Sequence, residues 1–340
     1  MQIVMLYRGD SPHPAHQGFA EAIDADTYRI DQASMGVPAG SIPAEVLNGI
    51  NIDKYDIYIA EGTRSLYGAL ANQIVRDSNL IYLAADTSID EIRRREPMDQ
   101  AVINRMISNY GVGMMERIFD RYIDGVIAVS ELVAESVRTL VDAPVRIAHP
   151  YIDPNMYEQL GNLSPSLKKK SAVTVGTYSW YKGQDILSDV WSQVRNVHPT
   201  AELYLVGDGY PEALNNEPGI TACGYVEDLP KKLAESALHL HAARMDAFPV
   251  SVLEALRLGL PSIVTERTGD RSVVQEISED MVVERSVKPF ADAITEYFDM
   301  PEHERERLSR ISESKGRTFD HMSRKEKFRR EFESLISELK

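Results

Sequence analysis

Short apolar runs rich in β-branched residues alternate with longer segments of helical periodicity along most of this chain. In the first half the strand-like runs are QIVMLY, YDIYIAEG, LIYLAAD, DGVIAVS and PVRIAHPYI, with helical patterns between them. Strand-then-helix alternation of this kind is typical of a doubly wound parallel α/β sheet. Near-continuous apolar strands such as GVIAV also favour a sheet that is covered on both faces.

The alternation is interrupted at residues 154–170, a stretch that contains Pro, Asn, Gly and Ser and ends in three lysines. This composition predicts a linker. The pattern restarts at SAVTVGTY, so we expect a first domain over 1–153 and a second over 171–315. The fold class expected is α/β, with two doubly wound, Rossmann-like domains that face each other across a cleft. Ligands of open α/β sheets bind at the carboxyl ends of the strands.

Charge and composition exclude several classes of function. The chain has 340 residues, a formal net charge of −15 and 43% hydrophobic residues, so both halves can build a core and general nucleic-acid binding is disfavoured. The single cysteine, Cys223, excludes an internal disulfide framework. The strand-like QIVMLY at the start lacks the basic region and apolar core of a signal peptide, so we expect none, and no apolar run approaches the ~18 residues that span a bilayer. We expect a cytoplasmic protein, with peripheral membrane contact left open.

Two strands of the second half end in glycine turns that are candidates for phosphate binding. In VTVGTYSWYKGQDIL, Gly176 follows a strand, and Lys182 lies at the start of the next helix beside Gly183. A lysine and exposed backbone N–H groups would bind an anion there; the alternative is a solvated lysine beside a turn. The Gly-Asp-Gly of LYLVGDG, beginning at Gly207, reads alone as an ordinary tight turn. Neither loop is a dinucleotide or P-loop motif.

Residues that commonly bind metals are scarce. His13 and His16 share an N-terminal loop, while His239 and His241 fall on one face of a strand. No cysteine or carboxylate cluster completes a site with either pair. We interpret both pairs as structural, and we expect neither a metal nor another cofactor.

The stretch ARMDAFPVSVLEALRLGLPSIVTE places Asp246 and Glu254 eight positions apart. Pro249 suits the first turn of a helix, Gly259 suits its C-terminal cap, and Pro261 blocks its continuation. The N–H groups and dipole of such a helix favour an anion, for example a diphosphate, and Glu254 could accept hydrogen bonds from a ribose. Alternatively, Asp246 caps the helix and Glu254 is a solvated residue on its flank. Local physics leaves both interpretations open.

Taken in order, these segments resemble those of a GT-B glycosyltransferase of the family 4 type, also called glycosyl transferases group 1. The passage from DGVIAVSELVAESVRTLV to VRIAHPYIDPNMY resembles the family's transition between domains. VGTYSWYKGQDIL resembles its Gly-Arg…Lys-Gly loop, and LYLVGDG and CGYVEDLPKKLAESALHLHAA follow in the expected order. DAFPVSVLEALRLGLPSIVTE resembles its E-x7-E motif with a downstream Gly-x-Pro. The resemblance covers most of the chain.

The resemblance implies retaining transfer of a sugar from a nucleotide-diphosphate donor to a glycan, lipid-linked or small-molecule acceptor, without a bound metal. It assigns Lys182 to the diphosphate, Glu254 to the ribose and Asp246 to the sugar hydroxyls. It also implies that the last helix, within 316–340, crosses back to the first domain. The donor-binding residues it implies are Gly9, Gly176, Thr177, Lys182, Gly207, Val226, Asp246, Phe248, Pro249, Val250, Ser251 and Glu254.

Three positions depart from the family's pattern. Asp246 replaces its first glutamate and is shorter by one methylene, and Thr177 replaces an arginine that would contact the diphosphate. Asp86 stands where a histidine often follows the third strand of the first domain. Asp86 either binds a sugar hydroxyl or orients the acceptor, or it caps the next helix. The candidate catalytic residues are therefore Asp246, Lys182 and Asp86.

Two other functions fit a similar fold. The departures at Asp246 and Thr177 are compatible with a non-catalytic nucleotide-sugar-binding protein, and a nucleotide-sugar epimerase is a further alternative. The acceptor is not readable, although EGTRSLYGAL and the segment that begins RRREPMDQ are candidates for its site. Arg93, Arg94 and Arg95 of the latter, mixed with Met and aromatic residues, would suit an anionic lipid surface. An ordinary amphipathic core helix is the alternative.

Overall fold

The computed structural model describes residues 1–8, 14–30, 55–62, 65–66, 78–87 and 112–339. The chain divides into two compact units. The first comprises Met1–Pro150 together with His321–Lys340, and the second comprises Tyr151–Asp320. Each unit is built on its own parallel sheet of six strands, so the α/β expectation is confirmed.

The first unit contains a sheet in the order β2-β1-β3-β4-β5-β6. Its strands are β1 (Ile3–Arg8), β2 (Asp26–Ile30), β3 (Ile57–Glu61), β4 (Asn79–Ala84), β5 (Gly125–Ala128) and β6 (Val145–Ile147). Its described helices are α1 (Pro14–Ala22), α2 (Val112–Tyr122) and α3 (Glu131–Arg138). The strands β3, β4 and β5 are almost entirely buried, as expected for apolar strands covered on both faces.

The second unit contains a sheet in the order β12-β11-β10-β7-β8-β9. Its strands are β7 (Ser171–Val175), β8 (Glu202–Val206), β9 (Ile220–Gly224), β10 (Leu238–His241), β11 (Ser262–Thr265) and β12 (Val282–Val283). Its helices are α4 (Pro154–Gly161), α5 (Leu187–Val197), α6 (Leu229–Ala234), α7 (Val250–Leu258), α8 (Arg271–Gln275), α9 (Val287–Asp299) and α10 (Glu302–Gly316).

The order of the second sheet places a topological switch point between β7 and β10. From β7 the chain winds outwards through β8 and β9, and from β10 it winds the opposite way through β11 and β12. The two connections that leave a switch point diverge to opposite sides, which opens a crevice at the carboxyl ends of the two strands. The loops after β7 and β10, which contain Lys182 and Asp246, therefore start side by side.

Residues 154–170, expected to be a linker, begin with helix α4 and belong to the second unit. The Asp153 side chain caps this helix by accepting from the N–H groups of Asn155 and Met156, and Pro154 occupies its first turn. Leu160 is fully buried. The stretch looks irregular in sequence because its polar residues serve as helix caps and turns.

The last helix, α11 (His321–Glu338), belongs to the first unit, whereas α10 ends at Gly316 in the second. The ring of Phe328 stacks on that of Phe19 in α1 at a centroid distance of 4.2 Å. Phe332 and Leu335 are buried on the same side of the helix, while the charged residues between them are mostly exposed. Within the described residues, no helix combines the length and apolar character needed to cross a membrane.

Candidate active site

Lys182 and Asp246, from the two loops at the switch point of the second sheet, form an ion pair. The Nζ atom of Lys182 lies 2.6 Å from Oδ2 of Asp246, and less than a quarter of each side chain is exposed. The backbone of Asp246 is fixed as well: its N–H donates to the carbonyl of Arg267, and its carbonyl accepts from the N–H of Gly269. The carboxylate is thus held by the loop after β7, and its backbone by the loop after β11.

The electrostatics of this pair keep both groups charged. Burial alone would raise the pKa of Asp246, but the charge of Lys182 outweighs it and holds that pKa far below its usual range. Burial would lower the pKa of Lys182, and the Asp246 carboxylate reverses the effect, so that the pKa of Lys182 is raised. The site therefore holds a carboxylate and an ammonium in direct contact at neutral pH.

His241 is a site residue that the sequence analysis missed. Its Nε2 atom lies 3.2 Å from the same Oδ2 of Asp246. Burial is the main reason that the pKa of His241 is lowered, and this keeps the ring neutral. The interpretation of His241 as purely structural is therefore revised. The available signal was its position as the last residue of β10, at the carboxyl end of the strand.

Asp270 is a second residue that sequence reasoning missed. It precedes α8 and is completely buried, and neither of its carboxyl oxygens has a hydrogen-bond partner among the described residues. Burial, reinforced by the negative charge of Asp246, raises the pKa of Asp270 well above its usual value. Asp270 is therefore a buried carboxyl group near the ion pair whose surroundings disfavour ionisation, and nothing in the TGDRS stretch indicated its burial.

Helix α7 begins directly after the Asp246 loop. Its N-cap is Pro249, which makes no side-chain hydrogen bond, and Gly259 ends it in a left-handed conformation with φ of 82°. Asp246 therefore does not cap this helix, which excludes that alternative for the residue. Phe248 is buried beneath the N-terminus, while Val250 and Ser251 are half-buried in the first turn. The N-terminal N–H groups of α7 form a suitable anion site.

Glu254 lies in the second turn of α7 and is half-buried rather than solvated. Burial, with a smaller contribution from the charge of Asp153, raises the pKa of Glu254 to about 7. These surroundings penalise ionisation, so the Glu254 carboxylate costs stability once it is charged. Hydrogen bonds from a pair of ligand hydroxyls would favour its ionised form.

The glycine turns after β7, β8 and β9 are connected by backbone hydrogen bonds. The N–H of Gly176 donates to the carbonyl of Val206 at 2.8 Å, and the N–H of Gly207 donates to the carbonyl of Gly224 at 2.8 Å. Gly207 has a φ of 128°, and a Cβ there would lie 2.4 Å from the carbonyl oxygen of Gly176. Glycine is thus required by close backbone approach, and the three turns form one continuous edge.

Two further predicted residues, Thr177 and Val226, lie on this edge. Thr177 follows Gly176 and is exposed, and Val226 follows the turn at Gly224 and is half-buried. Gln184, a residue not singled out from the sequence, fixes the loop between Gly176 and Lys182 by hydrogen bonds. Its amide donates to the carbonyl of Gly176 at 3.2 Å and to the Tyr210 hydroxyl at 2.8 Å, while its oxygen accepts from the N–H of Ser179.

Two arginines bind Asp185, which follows Lys182 in the same loop. Arg244 makes a bidentate pair with Asp185, with both distances 2.7 Å, and Arg285 contacts the same carboxylate at 2.9 Å. Arg285 also donates to the carbonyl of Ala242 at 3.0 Å. Thr177 stands where the family pattern has an arginine. Arg244 and Arg285 do not supply the missing cation, because both are paired with Asp185.

The remaining predicted residues belong to the first unit. Asp86 follows β4 and is half-buried, and a Cβ on Gly62 would lie 2.7 Å from its Oδ2 atom. His16 contacts Glu61, the last residue of β3, at 2.5 Å. Gly9, His13 and Arg93, Arg94 and Arg95 lie outside the described residues, as does the segment that Asp86 would cap.

Comparison with known proteins supports a common fold and a shared domain. Residues 169–299 match the model of the family described as Glycosyl transferases group 1. An "Uncharacterized glycosyltransferase" of Haemophilus influenzae is 27% identical over 110 residues, which are 30% of this chain and 31% of that protein. The chain therefore aligns with about a third of that relative's length.

Among solved structures, Anabaena HepE in complex with UDP and glucose has a TM-score of 0.73 at 16% identity, with 99% of this chain and 100% of that chain covered. Sucrose-phosphate synthase from Thermosynechococcus elongatus has a TM-score of 0.75 at 13% identity, with 99% and 100% covered. WaaG, a glycosyltransferase involved in lipopolysaccharide biosynthesis, has a TM-score of 0.68 at 14% identity, with 96% and 98% covered. At such identities the likeness is one of fold.

The half-buried Glu254 predicts a pH-dependent loss of stability. Because its pKa is about 7 when folded and 4.5 otherwise, folding favours the protonated form, and the free energy of unfolding falls as the pH rises from 4.5 through about 7. At 1.36 kcal/mol per pKa unit, this loss is roughly 3 kcal/mol. Glu254→Gln, which cannot ionise, should lack it and should become more stable than the native protein at pH 8.

Urea unfolding of both proteins between pH 4.5 and 8 measures this effect. Glu158→Gln, on the exposed side of α4, is the matched control and should follow the native protein at every pH. A constant difference between Glu254→Gln and the native protein across this range would contradict the prediction.

The backbone at Gly183, next to Lys182, leaves no room for a side chain, so we predict that the loop requires glycine there. It has a φ of 68°, and a Cβ there would lie 2.0 Å from the backbone oxygen of Ala242. Gly224 has a similar φ of 64° but open space around it. Gly224→Ala should cost about 1 kcal/mol in unfolding free energy, whereas Gly183→Ala should cost a further ~1–3 kcal/mol from overpacking. Equal losses in chemical unfolding would show that the loop does not need this close approach.

Proposed function

We propose that this chain, whose residues 169–299 match the model of the glycosyl transferases group 1 family, is a retaining glycosyltransferase. It would move a sugar from a nucleoside-diphosphate donor to a glycan, a lipid-linked or a small-molecule acceptor. The observation that carries the proposal is the charged Lys182–Asp246 pair at the switch point, beside the N-terminus of α7 and the half-buried Glu254. Cation, helix N-terminus and carboxylates suit the successive parts of a nucleotide sugar.

In this proposal the diphosphate binds at Lys182 and the N-terminus of α7, in contact with the backbone near Val250 and Ser251. Negative charge accumulates on the diphosphate as the bond to the sugar breaks. An ammonium group and preorganised N–H dipoles stabilise that charge. These groups supply positive charge without a metal ion, and we propose a metal-independent reaction.

The proposal also assigns the other parts of the donor to residues of the second unit. Glu254 accepts hydrogen bonds from the ribose hydroxyls, which offsets the cost of ionising a half-buried carboxyl group. Asp246 binds the sugar hydroxyls from a shorter arm than the family's glutamate. The base lies on the continuous edge of turns, near Gly207 and Val226. HepE, which shares the fold, binds UDP, so we propose UDP as the first nucleotide to test.

The transfer would proceed on one face of the sugar. The bond between the anomeric carbon and the phosphate oxygen breaks, the acceptor oxygen bonds to the same carbon from the same side, and the acceptor proton passes to the leaving phosphate oxygen. No side chain is then needed as a general base. We assign the acceptor to the first unit, with Asp86 as a residue that orients it, and we propose a cytoplasmic location with peripheral contact at a membrane.

Binding of a nucleoside diphosphate is the direct test of the site. A ligand at one hundred times its Kd should stabilise the native protein by ~2.7 kcal/mol, seen as a raised Tm. Lys182→Met and Glu254→Gln should each remove most of this shift, and Lys288→Met, at an exposed lysine of α9, should not. If UDP, GDP and ADP all leave the Tm of the native protein unchanged, the proposed donor site is wrong.

A non-catalytic binding protein is the second candidate, because Asp246 is short and is engaged by Lys182 in the 2.6 Å pair. Hydrolysis of a nucleotide sugar distinguishes the two. We expect slow donor hydrolysis that persists in EDTA and is abolished by Lys182→Met, with the released sugar followed by NMR. Nucleotide-sugar binding with no hydrolysis and no transfer to any acceptor would favour the binding protein.

A further inference from the structure

One oxygen of Asp246 faces two nitrogen atoms. Oδ2 lies 2.6 Å from Nζ of Lys182 and 3.2 Å from Nε2 of His241. Only the lysine makes a hydrogen bond, because Nε2 of His241 is buried and has no aligned acceptor among the described residues. His241 is therefore close enough to bind this oxygen but is not bound to it while Lys182 is there.

The proposed function requires Lys182 to turn to the donor diphosphate. Asp246 would then lose the ammonium while only 13% of its side chain is exposed. A buried carboxylate without a partner is strongly unfavourable. Asp270 does not replace the lysine, since neither of its carboxyl oxygens makes a hydrogen bond with Asp246 or with any other described residue. Among the described residues, the imidazole of His241 places a ring nitrogen 3.2 Å from the same oxygen of Asp246.

We propose that His241 is a positioning residue that takes over Oδ2 of Asp246 when Lys182 moves to the donor diphosphate. A small rotation of the carboxylate or the ring aligns Nε2–H with the oxygen. The exchange leaves the carboxylate bonded and aims it at the sugar, while it frees the ammonium for the phosphates. This inference rests on the proposed function, because it requires Lys182 to bind the diphosphate.

The position of His241 suits this role. It is the last residue of β10, pairs with Val264 of β11, and has only 3% of its side chain exposed. A central strand therefore fixes its backbone, and the exchange needs only side-chain rotations. His239, two residues earlier on the same face, is equally buried, and neither of its ring nitrogens has a hydrogen-bond partner among the described residues. His239 is therefore a matched control for loss of a buried imidazole.

The test compares two ligands that share all contacts except those to the phosphates. Isothermal titration at pH 7.5 gives the Kd of the nucleoside diphosphate that binds best among UDP, GDP and ADP, and that of its nucleoside. In His241→Leu the diphosphate should bind about tenfold more weakly, the value expected for losing a hydrogen bond to a charged group. The nucleoside Kd should not change, and His241→Gln, which keeps an N–H donor at a similar reach, should restore most of the loss.

The control variant and the native protein separate the possible failures. His239→Leu should leave the ratio of the two Kd values as in the native protein. If His239→Leu and His241→Leu change that ratio equally, or neither changes it, His241 has no positioning role although the donor site stands. If the native protein binds no nucleoside diphosphate, the proposed function fails and this inference fails with it. If His241→Leu does not fold, His241→Met serves as the apolar variant.

Discussion

The contact between the Lys182 ammonium and the Asp246 carboxylate joins the two loops on which the candidate site depends. These loops leave β7 and β10, the neighbouring strands where the second sheet reverses its winding direction. Each of these partly buried charges would be unfavourable alone, and the ion pair compensates both. Both groups therefore stay charged and can bind a ligand. Gln184, close to Lys182 in sequence, bonds to the turn at Gly176, and α7 begins shortly after Asp246.

The second unit also contains two buried or half-buried carboxyl groups whose ionisation lowers the stability of the fold. Glu254 is half-buried beside the charge of Asp153, and Asp270 is wholly buried without a hydrogen-bond partner in the part of the chain that is described. Buried ionisable groups of this kind concentrate at functional sites, because a ligand supplies the missing contacts.

Much of the fold could be predicted from the sequence, because strand-then-helix alternation and buried apolar strands are local patterns. The start of α7 near Pro249 and its end at Gly259 followed from the same kind of signal. The helix at residues 154–161 was missed, since its cap and turn residues resemble a linker. Asp270 could not be identified as a site residue, because its proximity to Asp246 depends on β10 and β11 being neighbours. His241 was overlooked although it ends the strand that leads to Asp246. The donor-binding roles of the predicted residues stay predictions.

A crystal structure of the protein with the nucleoside diphosphate that stabilises it most would test the central claim directly. We predict that Nζ of Lys182 leaves Asp246 for the diphosphate, that Glu254 binds the ribose hydroxyls, and that Oδ2 of Asp246 accepts a hydrogen bond from His241. A nucleotide bound away from the loop after β7, or a diphosphate bound with the Lys182–Asp246 pair still closed, would contradict the account.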